Sequence, residues 1–156
     1  MKNNIDLARR KDLSSDMIEK LADDESPFVR EVIAEREDLS AELIEKLADD
    51  NYFIREAIAK RKDLSAEIIE KLASDGHYVI RKLIAEREDL SAQIIEKLAD
   101  DETTFVRVAI ARRKDLSEEL IEKLASDEHY VIRKLIVEKL IAERKKGKWK
   151  WQITLI

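Results

Sequence analysis

The sequence has no cysteine, only two glycines and only one proline among its 156 residues. Without cysteine it has no disulfide, no thiolate zinc site and no thiol nucleophile. Scarce glycine and proline, combined with 42% charged residues, are typical of helices with solvated outer faces. No apolar run is long enough to span a bilayer, and the first residues lack the apolar core of a secretory signal. We therefore expect an all-α, cytoplasmic protein.

The chain repeats itself with a period of 25 or 26 residues. Each repeat contains the tripeptide Asp-Leu-Ser, then a block such as Ile-Glu-Lys-Leu-Ala at residues 44–48, then a hydrophobic residue followed by arginine. Residues 7–11 match the last part of a repeat, so the chain begins with half a unit, as a capped solenoid does. The arginines that mark the five full repeats are Arg30, Arg55, Arg81, Arg107 and Arg133.

Each repeat predicts two helices, which we name helix A and helix B. Helix A begins after a serine such as Ser40, whose hydroxyl is suited to capping a helix N-terminus. The cap position of helix B, four residues before the repeat arginine, is occupied by Ser26, Asn51, His77, Thr103 and His129. The inner face of helix B is predicted to consist of Phe53, Ile54, Ala57 and Ile58 and their equivalents. One helix pair cannot bury both apolar faces, so we expect the pairs to stack.

The repeat pattern, Asp-Leu-Ser-x-x-Leu-Ile-x-x-Leu-Ala-x-Asp followed by Val-Arg-x-x-Ile-Ala, resembles the variant leucine-rich repeat. The six-residue spacing from Asp24 to Arg30 is also similar to the Asp–Arg ladder of HEAT repeats. The resemblance covers residues 5–143 and implies a right-handed superhelix with a general binding role. The second helix of that family is often 3₁₀, whereas the helical spacing of apolar residues over two turns favours an α-helix in this chain.

These patterns together predict the domain organisation. Residues 1–146 are expected to form a right-handed α-solenoid of about five two-helix repeats plus an N-terminal half-repeat. Residues 147–156 are expected to form a short extended tail. The residue five positions after the repeat arginine alternates in charge along the chain, which predicts a ladder of salt bridges between neighbouring repeats, each worth about 0–1 kcal/mol. The residues at this position are Glu35, Lys60, Glu86, Arg112 and Glu138.

A candidate binding surface lies on helix B, at the positions three before, one after and five after the repeat arginine. These positions are four residues apart and so share one exposed stripe of the helix. Tyrosine is an efficient contact residue because it offers a large area and loses little rotamer entropy. The alternative is a solvated face held by pairs such as Glu56 with Lys60. The candidate contact residues are Tyr52, Glu56, Tyr78, Lys82, Val108, Tyr130 and Lys134.

The C-terminal tail breaks the repeat pattern. Trp149, Trp151, Ile153 and Leu155 alternate with polar residues, which is typical of a strand. One interpretation is that the tail folds back as a cap over the last repeat. A second is that it pairs with another chain, either a target or a second copy in a dimer. A third uses the tryptophans and the neighbouring basic residues to bind single-stranded nucleic acid or an anionic membrane surface.

No enzymatic site is predicted. The serines and most of the carboxylates recur in every repeat, whereas an active site needs a unique constellation. His77 and His129 are two repeats apart and are better explained as caps than as metal ligands, so we expect no metal and no cofactor. The acidic face of helix A is interpreted as solvated, with nucleic-acid mimicry as the alternative. We therefore predict a non-enzymatic protein–protein interaction module, the alternative being a nucleic-acid-binding helical-repeat protein that uses the basic, tryptophan-containing tail.

Overall fold

The computed structural model describes residues 2–145, in which every regular element is an α-helix. The predicted tail at residues 147–156, with Trp149 and Trp151, lies outside the described residues. Helix B is an α-helix and not a 3₁₀-helix, as predicted. The eleven helices of the described part are α1 Lys2–Ala8, α2 Ser15–Ala22, α3 Pro27–Ala34, α4 Ala41–Leu47, α5 Tyr52–Ala59, α6 Ala66–Leu72, α7 Tyr78–Ala85, α8 Ala92–Ala99, α9 Thr104–Ala111, α10 Glu118–Ala125 and α11 Tyr130–Lys145.

The helices belong to two compact units, the first ending at Arg87 and the second beginning at Glu88. The first unit holds the half-repeat α1 and three repeats, in which α2, α4 and α6 are helices A and α3, α5 and α7 are helices B. Within it α3 packs against both α1 and α5, and α5 packs against α7, so the B helices lie side by side. The second unit holds two repeats, where α9 packs against α8 and α11, and α10 packs against α8 and α11.

The N-terminus of each helix A is capped by the serine of the Asp-Leu-Ser tripeptide. In α4 the Ser40 hydroxyl accepts a hydrogen bond from the backbone N–H of Leu43 at 3.2 Å. In each of the other four repeats the equivalent serine accepts the same bond from the N–H of the third residue after it, which confirms the prediction. Because the cap occupies an N–H that has no partner inside the helix, it decides where the helix begins. The five serines are Ser14, Ser40, Ser65, Ser91 and Ser117.

The caps of helix B follow the prediction in position but only partly in chemistry. Asn51 accepts a hydrogen bond from the N–H of Phe53 at 3.0 Å. The ring nitrogens Nδ1 of His77 and His129 accept longer bonds, at 3.4 Å, from the residues two positions on. Ser26 and Thr103, although both favour cap positions, make no side-chain capping bond. The histidines are therefore structural caps.

The core is built from the same positions in every repeat. In α5 the side chains of Ile54 and Ile58 are fully buried, and Ala59 lies beside them. Phe53 was predicted on this inner face, but its side chain is 61% exposed, and Ala57 is only half-buried. The reason is helical geometry. Ile54 and Ile58 are four positions apart and share a face, whereas residue 53 is one position before Ile54 and therefore points to a different face of the helix.

A ladder of partly buried ion pairs joins the beginning of helix B to the next repeat within a unit. The Arg30 guanidinium donates two hydrogen bonds to the Asp50 carboxylate, at 2.7 and 2.9 Å, and another to the carbonyl of Asp24 at 2.7 Å. Arg55 with Asp75 repeats this arrangement. Two parallel bonds between a guanidinium and a carboxylate fix direction as well as distance. The ladder therefore sets the register between neighbouring repeats.

A second ladder joins the opposite ends of the B helices. Arg36 donates to the carbonyls of Ala8 and Arg10 at 2.8 and 2.6 Å, where α1 ends, and also makes a bidentate pair with Asp38. Arg61 bonds in the same way to the carbonyls of Ala34, the last residue of α3, and of Arg36 just beyond it. The last carbonyls of a helix lack partners inside the helix and carry partial negative charge, so a cation there is stabilising. Helices α3 and α5 are thus held at both ends.

Candidate interaction surface

Tyr52 and Glu56 lie on the outer side of α5, and both are half-buried. The Tyr52 ring contacts the His77 ring of the next repeat, with 4.3 Å between centroids, and the Phe53 ring at 5.2 Å. Its hydroxyl hydrogen bonds to the Glu56 carboxylate, which raises the pKa of Tyr52. Glu56 also pairs with Lys60 at 2.7 Å, and that bond lowers the pKa of Glu56. These two candidate residues therefore already have partners within the protein.

Tyr78 and Lys82 occupy the equivalent positions on α7. Tyr78 is 39% exposed, and its ring stacks on that of His77 with 5.4 Å between centroids. The Lys82 ammonium pairs with the Glu86 carboxylate at 2.9 Å, one helical turn further on. An exposed pair of this kind contributes about 0.3–0.5 kcal/mol. Tyr78 is thus a partly open aromatic contact beside a solvated ion pair.

In the second unit the candidate residues lie on α9 and α11. Val108 on α9 is half-buried. Tyr130, the first residue of α11, is exposed and stacks on His129 with 5.5 Å between ring centroids. Lys134 is exposed and lies 3.8 Å from the carboxylate of Glu138. Tyr130 and Lys134 are thus available to a partner, and Val108 is available in part.

Three strongly exposed phenylalanines of helix B were predicted on its inner face, as Phe53 and its equivalents, and not on the candidate surface. They stand two positions before the repeat arginine, and their side chains are more than half exposed. The sequence could have shown this. On a helical wheel with Ile54 and Ile58 facing the core, residue 53 lies on the outer side with Glu56 and Lys60, which follow it by three and seven positions. The three phenylalanines are Phe28 at 65%, Phe53 at 61% and Phe105 at 61% exposure.

Two open grooves run between the B helices of the first unit. The α3/α5 groove has a volume of about 610 Å³ and an apolar floor formed by Phe53 and Ala57. The α1/α3 groove has a volume of about 520 Å³, with Ala8 and Val32 in its lining. Charged side chains stand along the sides of both grooves. The grooves give this face relief that a flat helical surface lacks.

The salt bridges predicted between repeats at Glu35, Lys60 and Glu86 are replaced, for Lys60 and Glu86, by pairs within single helices. Lys60 pairs with Glu56 and Glu86 pairs with Lys82, in both cases within one helix. Opposite charges do face each other across the α3/α5 groove, where Glu35 and Lys60 both contribute to the lining. The groove lies between them, and the ion pairs that link repeats are instead the arginine–aspartate pairs described above and surface pairs such as Lys46 with Asp23 and Lys71 with Asp49. That part of the prediction was therefore wrong.

Three further observations bear on chemistry within residues 2–145. No three His, Asp or Glu side chains there come close enough together to hold a metal ion. No buried side-chain nitrogen or oxygen in this part of the chain lacks a hydrogen-bond partner. Nor is any of its helices long and apolar enough to cross a membrane.

Comparison of the sequence with family models, with curated proteins and with solved structures finds no match. Function must therefore be inferred from the surface of the molecule itself.

Proposed function

We propose that this chain is a non-enzymatic protein-interaction module, in which the repeats stack as a right-handed α-solenoid of the variant leucine-rich or HEAT-like kind. A protein partner binds the outward face of helix B, and the protein acts in the cytoplasm. The packing of B helices side by side within the first unit and the recurrence of the arginine ladder support this interpretation.

The observation that carries the proposal is the exposure of the phenylalanines on helix B. Phe53 is 61% exposed beside the fully buried Ile54, so the core does not use it. Covering a phenylalanine side chain completely is worth about 1.5–3 kcal/mol. Aromatic residues are enriched at protein interfaces, where they dominate the binding energy. Phe28 on the neighbouring helix extends the same apolar character across two repeats.

The rigidity of helix B supports the same conclusion. Binding loses free energy when a surface must become ordered, and a surface that is already ordered avoids this cost. Helix α5 is held at its N-terminal side by the pair of Arg55 with Asp75. At its other end Arg61, two residues after α5, donates a hydrogen bond to the carbonyl of Ala34 at the end of α3. The aromatic residues between these points are therefore presented on a preorganised support.

The test is a pull-down with the tagged protein from a lysate of its own organism, with and without nuclease. A double variant, Phe28→Ser with Phe53→Ser, removes the exposed rings. The matched control is Glu45→Gln, an exposed residue of helix A in the same unit. Circular dichroism and thermal melting establish that all three proteins are folded.

We expect a protein partner that survives nuclease, is retained by the control and is lost by the phenylalanine variant. Retention by the folded phenylalanine variant would refute binding through helix B. Recovery that depends on nucleic acid would instead favour the basic tail at residues 147–156 as the binding element, since phosphate contacts are sequence-independent and weaken steeply with salt.

A further inference from the structure

The two grooves of the first unit share a wall. Glu35 and Glu37 contribute to the lining of both, and both lie just beyond the C-terminal end of α3. The far side of the α1/α3 groove carries Arg9 and Lys11. The far side of the α3/α5 groove carries Lys60 and Lys62, and its acidic residues Glu56 and Asp63 are paired with Lys60 and Arg61. The order across this face is therefore basic, acidic, basic.

Most of these charges are not used by the fold. Among the described residues, Glu35, Glu37, Lys62 and the basic pair at residues 9 and 11 make no ion pair, whereas Lys60 pairs with Glu56. The arginines that could have neutralised them are committed elsewhere, since Arg36 and Arg61 bond to backbone carbonyls and to the aspartates two positions on. These charged side chains, which we call the charge row, are thus exposed to solvent.

We infer that the partner presents an extended peptide segment whose charges run acidic, basic, acidic, with apolar side chains between them. This inference rests on the proposed function and names the kind of partner. An acidic residue would face Arg9 and Lys11, a basic one Glu35 and Glu37, and a second acidic one Lys60 and Lys62. The order reads the same from either end, so the segment is accepted in either chain direction.

The spacing of the charges follows from the packing. Packed helices lie about 8–10 Å apart, and an extended chain advances about 3.3 Å per residue. Successive charges in the segment are therefore about three residues apart. The two residues between them pass over a groove, where the exposed Phe53 ring and Ala57 form an apolar floor in one case and Ala8 and Val32 line the other.

The experiment uses eight labelled synthetic peptides, each with Glu or Lys at three positions spaced three residues apart and with Leu-Ser between them. Binding to the full chain is measured by NMR titration and fluorescence anisotropy at low and high salt. The Glu-Lys-Glu peptide is expected to bind about tenfold or more tighter than Lys-Glu-Lys, because three attractive contacts replace three repulsive ones. Salt should reduce the difference.

A charge variant of the protein sharpens the test. In Glu35→Lys with Glu37→Lys the row becomes uniformly basic, so the preferred peptide should change to Glu-Glu-Glu. The matched control, Glu45→Lys with Glu70→Lys, makes the same change in net charge on the exposed face of helix A in the same unit. It should leave the preference for Glu-Lys-Glu unchanged.

Equal affinity for all eight peptides, binding of none, or an equal change in preference with the helix A control would overturn the inference. The proposed function is judged separately, by the pull-down. A natural partner that is lost with the phenylalanine variant but kept by Glu35→Lys with Glu37→Lys would leave the proposed function standing and would refute the charge pattern.

Discussion

The arginine ladder makes a sharp prediction in the second unit, at the buried pair of Arg107 with Asp127. The Arg107 side chain is only 8% exposed and donates two hydrogen bonds to the Asp127 carboxylate, at 2.8 and 3.1 Å. It also bonds to the carbonyl of Asp101 at 2.9 Å. We consider the substitution Arg107→Met, which keeps much of the volume and removes the charge.

The magnitude follows from what remains after the substitution. The Asp127 side chain is 9% exposed and would keep a negative charge with its main counter-ion gone. Breaking a buried ion pair by removing one partner costs about 3–5 kcal/mol. Asp127 retains a hydrogen bond from the backbone N–H of His129, so we expect the lower end of that range, about 3 kcal/mol.

The control is an ion pair that also joins the two repeats of this unit but lies on the surface. Lys123 contacts Asp100 at 2.5 Å, with exposures of 48% and 63%. Lys123→Met should cost only about 0–1 kcal/mol. Urea denaturation followed by circular dichroism at neutral pH measures both, and since both residues belong to one unit the same transition reports on them.

A double variant decides the physical cause. Asp127→Asn combined with Arg107→Met removes the stranded charge, so it should be more stable than the sum of the single effects predicts. Equal destabilisation by the buried and exposed variants would refute the reasoning, because burial would then not matter. Strict additivity in the double variant would likewise show that the uncompensated carboxylate is not the source of the loss.

Three further predictions concern acid stability, helix capping and the tail. The hydrogen bond from Arg30 lowers the pKa of Asp50 in the folded protein. The bond therefore stabilises the fold fully above the unfolded pKa of about 3.9, and this stabilisation is lost as the pH falls through the lower folded pKa. Urea denaturation between acid and neutral pH should show this loss below about pH 4, and Arg30→Met should reduce it; an unchanged pH profile would contradict the assignment. Ser40→Ala should lower the free energy of unfolding by about 1 kcal/mol in the same assay, and no change would mean that the hydroxyl bond is not a net stabiliser. Trp149→Ala with Trp151→Ala should lower the melting temperature because the tail is predicted to cap the last repeat; an unchanged melting temperature together with weaker binding of a labelled single-stranded oligonucleotide would favour the nucleic-acid interpretation instead.

Local structure was predicted well because its causes lie within a few residues along the chain. The serine cap of helix A depends on a hydroxyl and an N–H three positions apart, so the pattern around Ser40 was enough to locate it. The α-helical character of helix B followed from the spacing of Ile54 and Ile58 in the same way. Among the candidate contact residues, Tyr130 and Lys134 are exposed as expected.

The predictions failed where the answer depended on the direction of a side chain or on distances between repeats. Phe53 is apolar and adjacent to the core residue Ile54, so its hydrophobicity predicted that it is buried. The turn of the helix instead points it to solvent. Charge alternation suggested that Glu35 and Lys60 pair, but a groove separates them. The phenylalanines of the candidate surface were missed for the same reason, whereas its tyrosines were among the predicted contact residues.

The sequence by itself therefore determined the repeat, the two helices of each repeat, the serine caps of helix A and the identity of most core residues. Those features depend on residues three or four positions apart, which the chain places together without help. Only the tertiary structure decided that Arg30 reaches Asp50, twenty residues on, and that Arg36 reaches the carbonyls at the C-terminal end of α1. Such pairs depend on how closely one helix packs on the next, and that packing also decides which aromatic and charged side chains remain open to a partner.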